Sequence, residues 1–384
     1  MRKSLFLALL LALVALLFPL GARAEAPCYD KYLISPVIQA RYAPDPALYR
    51  RLFDALDAME QRADVSDLRP SAAQVADVTA ALFDRFEFSM LRAISYDADN
   101  FSVVLDIKSG GDAGKRQVQT FRDRVQALMQ RVACAQSQTE QALLLHQYFA
   151  STTEYDAEAP DVGPWGVMVD SRGICTGYAY AMAYVLDQLG IENHLTHTDD
   201  GVHIFNTARL DGQYYHLDAT YESTADAGGA LAYFGLTDSQ AHAQYGSYTS
   251  GNPNSGAYAT PACTSARFAW LEGAAAAQFC PENGLLYYSD TTRENKLYAR
   301  NLRTSEDVQI LAQEVIGLRT FDGALYLQFA QSPTEIFQMT PGDDAIQKLN
   351  SDLAAITRMR TTRDGLILYD DIANRQTTIK PSSR

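Results

Sequence analysis

The chain has 384 residues, of which 47% are hydrophobic and 20% charged. It therefore carries enough apolar material for a sizeable core, which excludes a disordered chain, and its length suggests two or three domains. Its formal net charge of −14 argues against nucleic acid or anionic lipid as a partner, because like charges repel.

Residues 1–24 are typical of a secretory signal peptide. Arg2 and Lys3 precede a short apolar run, and Ala-Arg-Ala at 22–24 supplies a cleavage pattern of small residues. An uncleaved membrane anchor is the alternative, but the apolar run is shorter than the about 20 residues that a spanning helix needs. We therefore expect a mature protein that starts near residue 25, is not inserted in the membrane, and is periplasmic or secreted.

All five cysteines follow this cleavage point, and an oxidising compartment favours disulfide bonds. An odd number leaves one thiol unpaired. Their positions favour the pairs Cys28–Cys134 and Cys263–Cys280, although four cysteines permit three pairings. This hypothesis leaves Cys175 as the free thiol.

Residues 25–135 are predicted to form a mainly helical N-terminal region. Apolar residues recur at helical spacing in 45–61, 71–86 and 117–132, and one strand is predicted at 101–107. No residue pattern in this region indicates chemistry.

Residues 136–265 are predicted to combine helices and strands. Ser137 and Glu140 form the capping-box pattern of a helix start, and a second helix is predicted over about 175–189. Two strands are predicted at 202–210 and 213–220. Asp211-Gly212 between them is a strong signal for a two-residue hairpin turn.

Residues 266–384 are predicted to form an antiparallel β-repeat domain. Three turn dipeptides, each followed by an alternating strand, lie 39 and 42 residues apart: Asn283-Gly284, Asp322-Gly323 and Asp364-Gly365. This period is typical of four-stranded propeller blades. Three copies are too few to close a propeller, so we expect either an open repeat sheet or part of a ring that another domain or chain completes. A plain β domain that only supports the core is the alternative.

Cys175 is the candidate nucleophile. Such a thiol needs a lowered pKa, a base within reach, and a group that orients the base. Cys175 lies where a loop becomes a helix, and the helix start favours a thiolate. Gly173 and Gly177 leave room for a substrate chain, and the Cys175 backbone N–H is a candidate oxyanion donor. A lone cysteine in an apolar helix is usually a core residue, so this interpretation needs partner residues.

The hairpin supplies those partners. A two-residue turn at Asp211-Gly212 sets a register in which His203 and Asp218 are diagonal neighbours on one face. Their Cβ atoms are then less than about 7–8 Å apart, within reach of the two side chains. The sequence therefore predicts a Cys175–His203–Asp218 triad.

Three runs also carry a family resemblance: Gly-Ile-Cys-Thr-Gly-Tyr-Ala at 173–179, His-Ile-Phe-Asn at 203–206, and Gly-Gln-Tyr-Tyr-His-Leu-Asp-Ala-Thr-Tyr at 212–221. In order and spacing they resemble the transglutaminase-like superfamily, over roughly residues 140–265. The resemblance implies an α+β, papain-like core in which Cys175 is the nucleophile, His203 its base and Asp218 the orienting acid. Phe205 and Tyr221 stand where the family often has Trp, which bears on pocket shape and substrate choice.

The resemblance implies a thiol enzyme that acts on peptide or protein amide bonds through a thioester. Water as the second nucleophile makes it a peptidase or amidase, and a primary amine makes it a transglutaminase. Hydrolysis is favoured, because no amine site or water-excluding lid is visible. Substrates are expected outside the cytoplasm, cell-envelope peptides among them. The alternative is an inactive transglutaminase-like module for binding or envelope assembly, in which the C-terminal β domain binds a protein partner.

No metal and no organic cofactor is predicted. A metal site could be suggested by one set of residues: His194, His197, His203 and His216 with Asp199 or Asp218. Their spacing matches no standard ligand pattern, and the triad already accounts for His203. Several other residues are predicted to pack rather than react: His216, His146, Trp165 and Tyr178. Trp165 and Tyr178 remain candidates for the wall of an acyl pocket. Asn206 is expected to hold backbone on the opposite face.

Overall fold

The computed structural model describes residues 27–381, apart from 109, 162, 227–228, 252–255 and 344. The predicted signal peptide lies outside the described residues. Within them, no helix is both long enough and apolar enough to span a bilayer. The fold mixes helices and strands, as expected for an α+β protein.

The helices are α1 Pro36–Tyr42, α2 Pro46–Asp57, α3 Ala72–Phe83, α4 Gly111–Val132, α5 Gln138–Thr152, α6 Cys175–Gln188, α7 Ala219–Asp226 and α8 Asp238–Tyr245. Strands β1–β10 are Arg62–Asp64, Leu91–Asp97, Ser102–Ile107, Glu154–Tyr155, Arg172–Gly173, Asn193–Thr198, Ile204–Leu210, Gln213–Leu217, Phe234–Leu236 and Tyr248–Ser250. Strands β11–β20 are Ala274–Cys280, Leu285–Asp290, Lys296–Asn301, Asp307–Phe321, Ala324–Phe329, Ser332–Met339, Ile346–Lys348, Arg358–Thr361, Leu366–Asp370 and Arg375–Ile379.

The N-terminal region holds α1–α4 and a three-stranded antiparallel sheet in the order β1–β3–β2. The sequence predicted only β3 of these strands, because β1 has three residues and β2 buries only one of its seven. Polar side chains join this region to α6: Tyr184 donates its hydroxyl hydrogen to the buried Glu87 carboxylate at 2.6 Å. Arg85 pairs with the same carboxylate at 2.7 Å, so the buried charge is compensated.

A five-stranded antiparallel sheet, in the order β10–β6–β7–β8–β9, packs against α6. The β7–β8 register pairs Leu210 with Gln213 and Asn206 with Leu217, which is the register predicted from a two-residue turn. Asp211 and Gly212 have φ values of 49° and 90°, as a type I′ turn requires. This hairpin positions the candidate site.

The start of α5 differs in detail from the predicted capping box. Ser137 accepts a hydrogen bond from the Glu140 backbone N–H at 3.2 Å, as expected. The Glu140 side chain, however, accepts from the Gln136 backbone N–H at 2.8 Å and pairs with Arg303 at 3.3 Å. The side chain is therefore directed by a long-range ion pair that local sequence does not reveal.

The three C-terminal repeats are present as hairpins. Their turn dipeptides join β11 to β12, β14 to β15, and β18 to β19. Strands β11–β17 form one antiparallel sheet, in which the long β14 pairs with β13 in its first half and with β15 in its second. Strands β18–β20 form a separate three-stranded sheet.

The strand before each repeat turn lies against α5; these strands are β11, β14 and β18. Gln147 accepts a hydrogen bond from the Phe279 backbone N–H at 2.9 Å and donates to the Thr320 hydroxyl at 3.1 Å. Arg360 donates to the backbone oxygen of Ser151 at 3.3 Å. These contacts attach all three repeats to α5 of the core.

The apolar core crosses the predicted domain boundary at 265. Phe268, Leu271 and Phe279 belong to the same buried cluster as side chains of α4, α5, α6, β7 and β8. A second cluster fills the N-terminal region, and two more lie between the C-terminal strands. The domain limits therefore stay predictions.

No disulfide bond joins cysteines of the described part of the chain, so the favoured pairs Cys28–Cys134 and Cys263–Cys280 are not formed. Cys263 lies close to His216 of the core sheet and Asp238 of α8, whereas the Sγ of Cys280 lies 3.1 Å from Oε2 of Glu282. The number of cysteines shows only whether one must stay unpaired. It could not reveal that these two thiols occupy different environments.

Candidate active site

Cys175 is the first residue of α6. Ile174 before it has extended backbone (φ −107°, ψ −179°) and provides no side-chain cap, so the first N–H groups of the helix stay available. The thiol is half-buried and packs against a small buried cluster: Ala179, Ala183, Leu195 and Ile204. The sulfur therefore sits at the positive end of a helix, against the core sheet.

His203 and Asp218 are in direct contact. Nε2 of His203 lies 2.6 Å from Oδ2 of Asp218, and the two residues are 8% and 1% exposed. The His203 backbone N–H donates to the Thr198 hydroxyl at 3.0 Å, which fixes the residue just before β7. Because Nε2 is engaged by the carboxylate, Nδ1 is the ring nitrogen left for the Cys175 thiol.

Asp218 accepts four hydrogen bonds. The backbone N–H groups of Thr220 and Tyr221 each donate to Oδ1 at 3.0 Å. Oδ2 accepts from His203 and from the Tyr245 hydroxyl at 2.8 Å. Both oxygens of this buried carboxylate are therefore satisfied, and the group is placed to hold the imidazole and compensate its charge.

The thiol and the imidazole shift each other's pKa in opposite directions. For Cys175, burial disfavours the charged sulfur, but a hydrogen bond with His203 and the charge of that ring outweigh it and lower the pKa of the thiol. Smaller contributions come from the backbones of Ile204 and Thr176. For His203, burial opposes the charge, but hydrogen bonds to Asp218 and Cys175 raise its pKa to about 9. These directions favour transfer of the thiol proton to the imidazole, which gives a thiolate–imidazolium pair.

Aromatic rings fix the imidazole. Tyr221 stacks on His203 with ring centroids 4.5 Å apart and an angle of 16° between planes. Tyr245 and Phe205 lie at 5.5 Å and 6.0 Å from the same ring. Contact with these rings limits rotation of the imidazole and keeps Nε2 directed at Asp218.

Tyr245 was missed by the sequence analysis. Thr237 and Gln240 form a capping box that starts α8, and Tyr245 ends this helix. The capping pattern reveals a helix, but it does not reveal that the helix docks beside Asp218. No sequence signal links the two residues, because the contact depends on the path of the chain through β9.

The other candidates occupy packing positions. Trp165 stacks on Phe121 at 6.5 Å, and the buried Tyr178 donates to the backbone oxygen of Thr153 at 2.9 Å. His146 is buried, with Nε2 3.6 Å from Oε2 of Glu222. As expected, Asn206 holds backbone on the opposite face.

The side-chain amide of Asn206 donates to the backbone oxygen of Ala179 at 2.9 Å. The four histidines weighed as a metal set do not converge, since each has a different partner: Tyr258 for His194, the Gly251 backbone oxygen for His197, Asp218 for His203, and Asp238 for His216.

Together the fold and the site define an α+β domain with a cysteine at a helix start and a histidine–aspartate pair on the adjoining antiparallel sheet. Residues 126–219 match the model of the Transglutaminase-like superfamily, and the chain thus contains a transglutaminase-like core. The match begins inside α4, earlier than the resemblance predicted from sequence, and ends one residue after Asp218.

Two solved structures are similar to part of the chain. One is a candidate cysteine protease from Cytophaga hutchinsonii, with 15% identity and a TM-score of 0.20, covering 29% of this chain and 42% of that one. The other is described as a TGase, with 15% identity and a TM-score of 0.25, covering 35% of this chain and 46% of that one. The chain thus spans less than half the length of either structure. A comparison with curated proteins gives no significant match.

Proposed function

We propose that this chain is an exported thiol enzyme that hydrolyses amide bonds of peptides or proteins through a thioester on Cys175. The observation that carries the proposal is the contact of His203 with Asp218 at 2.6 Å, together with the lowered pKa of Cys175 beside the raised pKa of His203. Membership of the core in the transglutaminase-like superfamily supports a protein or peptide substrate.

In the first half-reaction the Cys175 thiolate attacks the carbonyl carbon of the substrate amide. The developing oxyanion is stabilised by the Cys175 backbone N–H, which has no intrahelical acceptor at a helix start. The His203 imidazolium then gives its proton to the leaving nitrogen, the C–N bond breaks, and a thioester remains. Asp218 holds the ring in place and stabilises its charged form.

In the second half-reaction the neutral His203 takes a proton from water, which attacks the thioester and releases the carboxylic acid. The Cys175 sulfur leaves as a thiolate and the imidazolium is restored. A primary amine in place of water gives a new amide, which is the transglutaminase outcome. Hydrolysis is preferred here, because the Cys175 thiol is only half-buried and water can reach it.

The test is mass spectrometry of peptide mixtures incubated with the protein, with and without a primary amine. The wild type is expected to give cleaved or deamidated peptides without the amine, and Cys175→Ala is expected to give none. Cys280→Ala, which removes a buried thiol elsewhere, should leave the products unchanged. Amine-linked products that dominate whenever amine is present would replace hydrolysis by acyl transfer.

The competing proposal is an inactive module for binding or envelope assembly. Rapid alkylation of Cys175 near neutral pH that is lost in His203→Ala, but kept in His197→Ala, supports the enzyme. Alkylation no faster than that of an ordinary thiol, with no peptide product, supports the binding module.

Export rests on residues 1–24 of the sequence. When the full chain is expressed in a bacterium, we expect the extracytoplasmic fraction to contain a chain that starts at Glu25, by intact mass. Retention in the cytoplasm with an intact N-terminus would contradict export without affecting the thiol chemistry.

A further inference from the structure

A second constellation lies on the sheet face that carries the candidate site. Among the described residues, His216, Asp238 and Cys263 place one ligand atom each within 4.8 Å of one another. An imidazole nitrogen, a carboxylate oxygen and a thiolate sulfur are the ligand types that zinc takes in proteins. We propose that these three residues bind a divalent metal ion of the zinc type.

The distances suit a tetrahedral ion. Zinc–ligand bonds of roughly 2.0–2.3 Å place neighbouring ligand atoms about 3.3–3.8 Å apart. Nε2 of His216 and Oδ1 of Asp238 are 3.0 Å apart, and no pair among the three ligand atoms exceeds 4.8 Å. Side-chain movements on the order of 1 Å therefore complete the geometry.

Two of the ligands are held together by their own backbones. The Asp238 N–H donates to the Cys263 backbone oxygen at 2.8 Å, and the Cys263 N–H donates to Oδ2 of Asp238 at 2.9 Å. These reciprocal bonds fix the thiol beside the carboxylate although 25 residues separate them. Oδ1 of Asp238 then faces His216.

His216, the third ligand, is oriented through its other ring nitrogen. Nδ1 of His216 lies 2.9 Å from the hydroxyl of Thr207, its direct cross-strand partner. Thr207 in turn shares a hydrogen bond with Thr196 at 2.7 Å. A metal-binding histidine normally donates its second ring N–H to such a partner, which fixes the tautomer. Thr207 can accept that hydrogen because its own hydroxyl can donate to Thr196.

The fourth position falls to the Tyr248 hydroxyl or to a water that it binds. This hydroxyl lies 3.0 Å from both Nε2 of His216 and Oδ1 of Asp238. His216 and Cys263 are almost fully buried, while the Asp238 side chain is 34% exposed and leaves a path from solvent. On binding, the Cys263 thiol loses its proton to solvent, and a dication with a thiolate, a carboxylate and a neutral imidazole leaves no net charge.

Such an ion would be a structural clamp beside the candidate triad. His216 is two residues before Asp218 in the chain, and Asp238 begins the helix whose last residue is Tyr245. The metal would therefore tie together the two elements that hold Asp218. It would touch none of the three residues proposed to react.

The test uses the full chain with Cys175→Ala, so that the Cys175–His203 pair cannot bind metal. The metal-free protein is titrated with Co²⁺ and then with Zn²⁺. We expect one Co²⁺ per chain, a thiolate-to-cobalt charge-transfer band, and loss of that band when Zn²⁺ displaces cobalt. Adding Cys263→Ser should abolish the band, while adding Cys280→Ser, which changes an equally buried thiol, should keep it.

A second variant covers the case in which the serine substitution unfolds the protein, as checked by circular dichroism. Asp238→Asn in the same background should keep the band but weaken Co²⁺ affinity by at least about 10-fold, and Asp364→Asn at an exposed turn should not. The absence of a band in the Cys175→Ala parent, a band that persists with Cys263→Ser, or unchanged affinity with Asp238→Asn would each overturn the proposal and leave a hydrogen-bonded cluster only.

Discussion

Tyr245 donates its hydroxyl hydrogen to Oδ2 of Asp218 at 2.8 Å, and that oxygen is also the one that accepts from His203. Burial and the charge of Asp218 raise the pKa of Tyr245 well above its ordinary value, so its hydroxyl stays protonated and can only donate to the carboxylate. Tyr245 is thus a positioning residue for the histidine–aspartate pair.

Tyr245→Phe should slow the reaction by on the order of 10-fold, because one hydrogen bond to a charged group is lost. The effect is expected in kcat with little change in KM, since Tyr245 acts on Asp218 and not on the substrate. The pH at which the rate falls on the basic side should become higher. The reason is that the Asp218 carboxylate then accepts a hydrogen bond from the His203 side chain without competition from Tyr245. Steady-state kinetics across pH measures all three quantities.

The matched control for that variant is Tyr221→Phe. It keeps the ring that stacks on His203 and removes a hydroxyl that does not donate to Asp218. Equal losses of kcat in both variants, with no shift of the basic limb in either, would count against a positioning role for Tyr245.

The pH dependence of Cys175 reactivity should be bell-shaped. The reactive form needs a charged sulfur and a protonated ring, the pKa of the thiol is lowered, and the pKa of His203 is raised to about 9. Reactivity should therefore rise through the thiol pKa on the acidic side and fall as the pH passes about 9. The matching contribution of His203 to stability is complete below its unfolded pKa of about 6.5 and is lost as the pH rises through about 9.

Asp218→Asn tests why the reactivity of Cys175 falls on the basic side of the pH profile. The hydrogen bond to Asp218 is the foremost contribution that raises the pKa of His203, so the basic limb should move to lower pH when the carboxylate becomes an amide. The dependence of kcat/KM on pH and the rate of thiol alkylation both measure it. A basic limb that stays near 9 in Asp218→Asn would mean that Asp218 does not set the charge of the ring.

The sequence alone predicted those parts of the candidate site whose geometry is determined by local rules. Asp211-Gly212 specifies a two-residue turn, and the turn fixes the register of β7 and β8 between Asn206–Leu217 and Leu210–Gln213. The second strand ends at Leu217 and not at Thr220 as predicted, so His203 and Asp218 flank the paired residues, where their side chains meet. The loop-to-helix change at Cys175 is also local. These positions are set by turn chemistry and by the period of two along a strand, and both can be seen in a single sequence.

The contacts of Tyr245 and Cys263 could not be predicted in this way. Tyr245 meets Asp218 from 27 residues away, and Cys263 meets Asp238 from 25 residues away. Each contact depends on how α8 packs against the sheet, which is a tertiary property with no short-range signal. The predicted disulfides failed for the same reason, because the count of cysteines carries no spatial information.

Gly212→Ala should destabilise the protein by about 1–2 kcal/mol, because a side chain disfavours positive φ. Gly212 has φ 90° and a Cβ at this position would meet no atom within 4 Å, so backbone strain is the expected cost. Gly110→Ala is the matched control: its φ is −104°, and its Cβ would also meet open space. Chemical denaturation measures both, and equal losses in the two variants would contradict the turn conformation assigned here.

Gln147→Ala should loosen the attachment of the C-terminal repeats without altering the chemistry at Cys175. The substitution leaves the Phe279 N–H without its acceptor and removes the bond to Thr320, and an unsatisfied buried group costs about 1–3 kcal/mol. Gln141→Ala, six residues earlier on α5, is the control and should leave the free energy of unfolding nearly unchanged. We expect a lower free energy of unfolding for Gln147→Ala alone and an unchanged alkylation rate of Cys175 in both variants. A slower alkylation rate in Gln147→Ala would instead mean that the repeats help to shape the site, since α5 would then transmit the loss of this contact to α6.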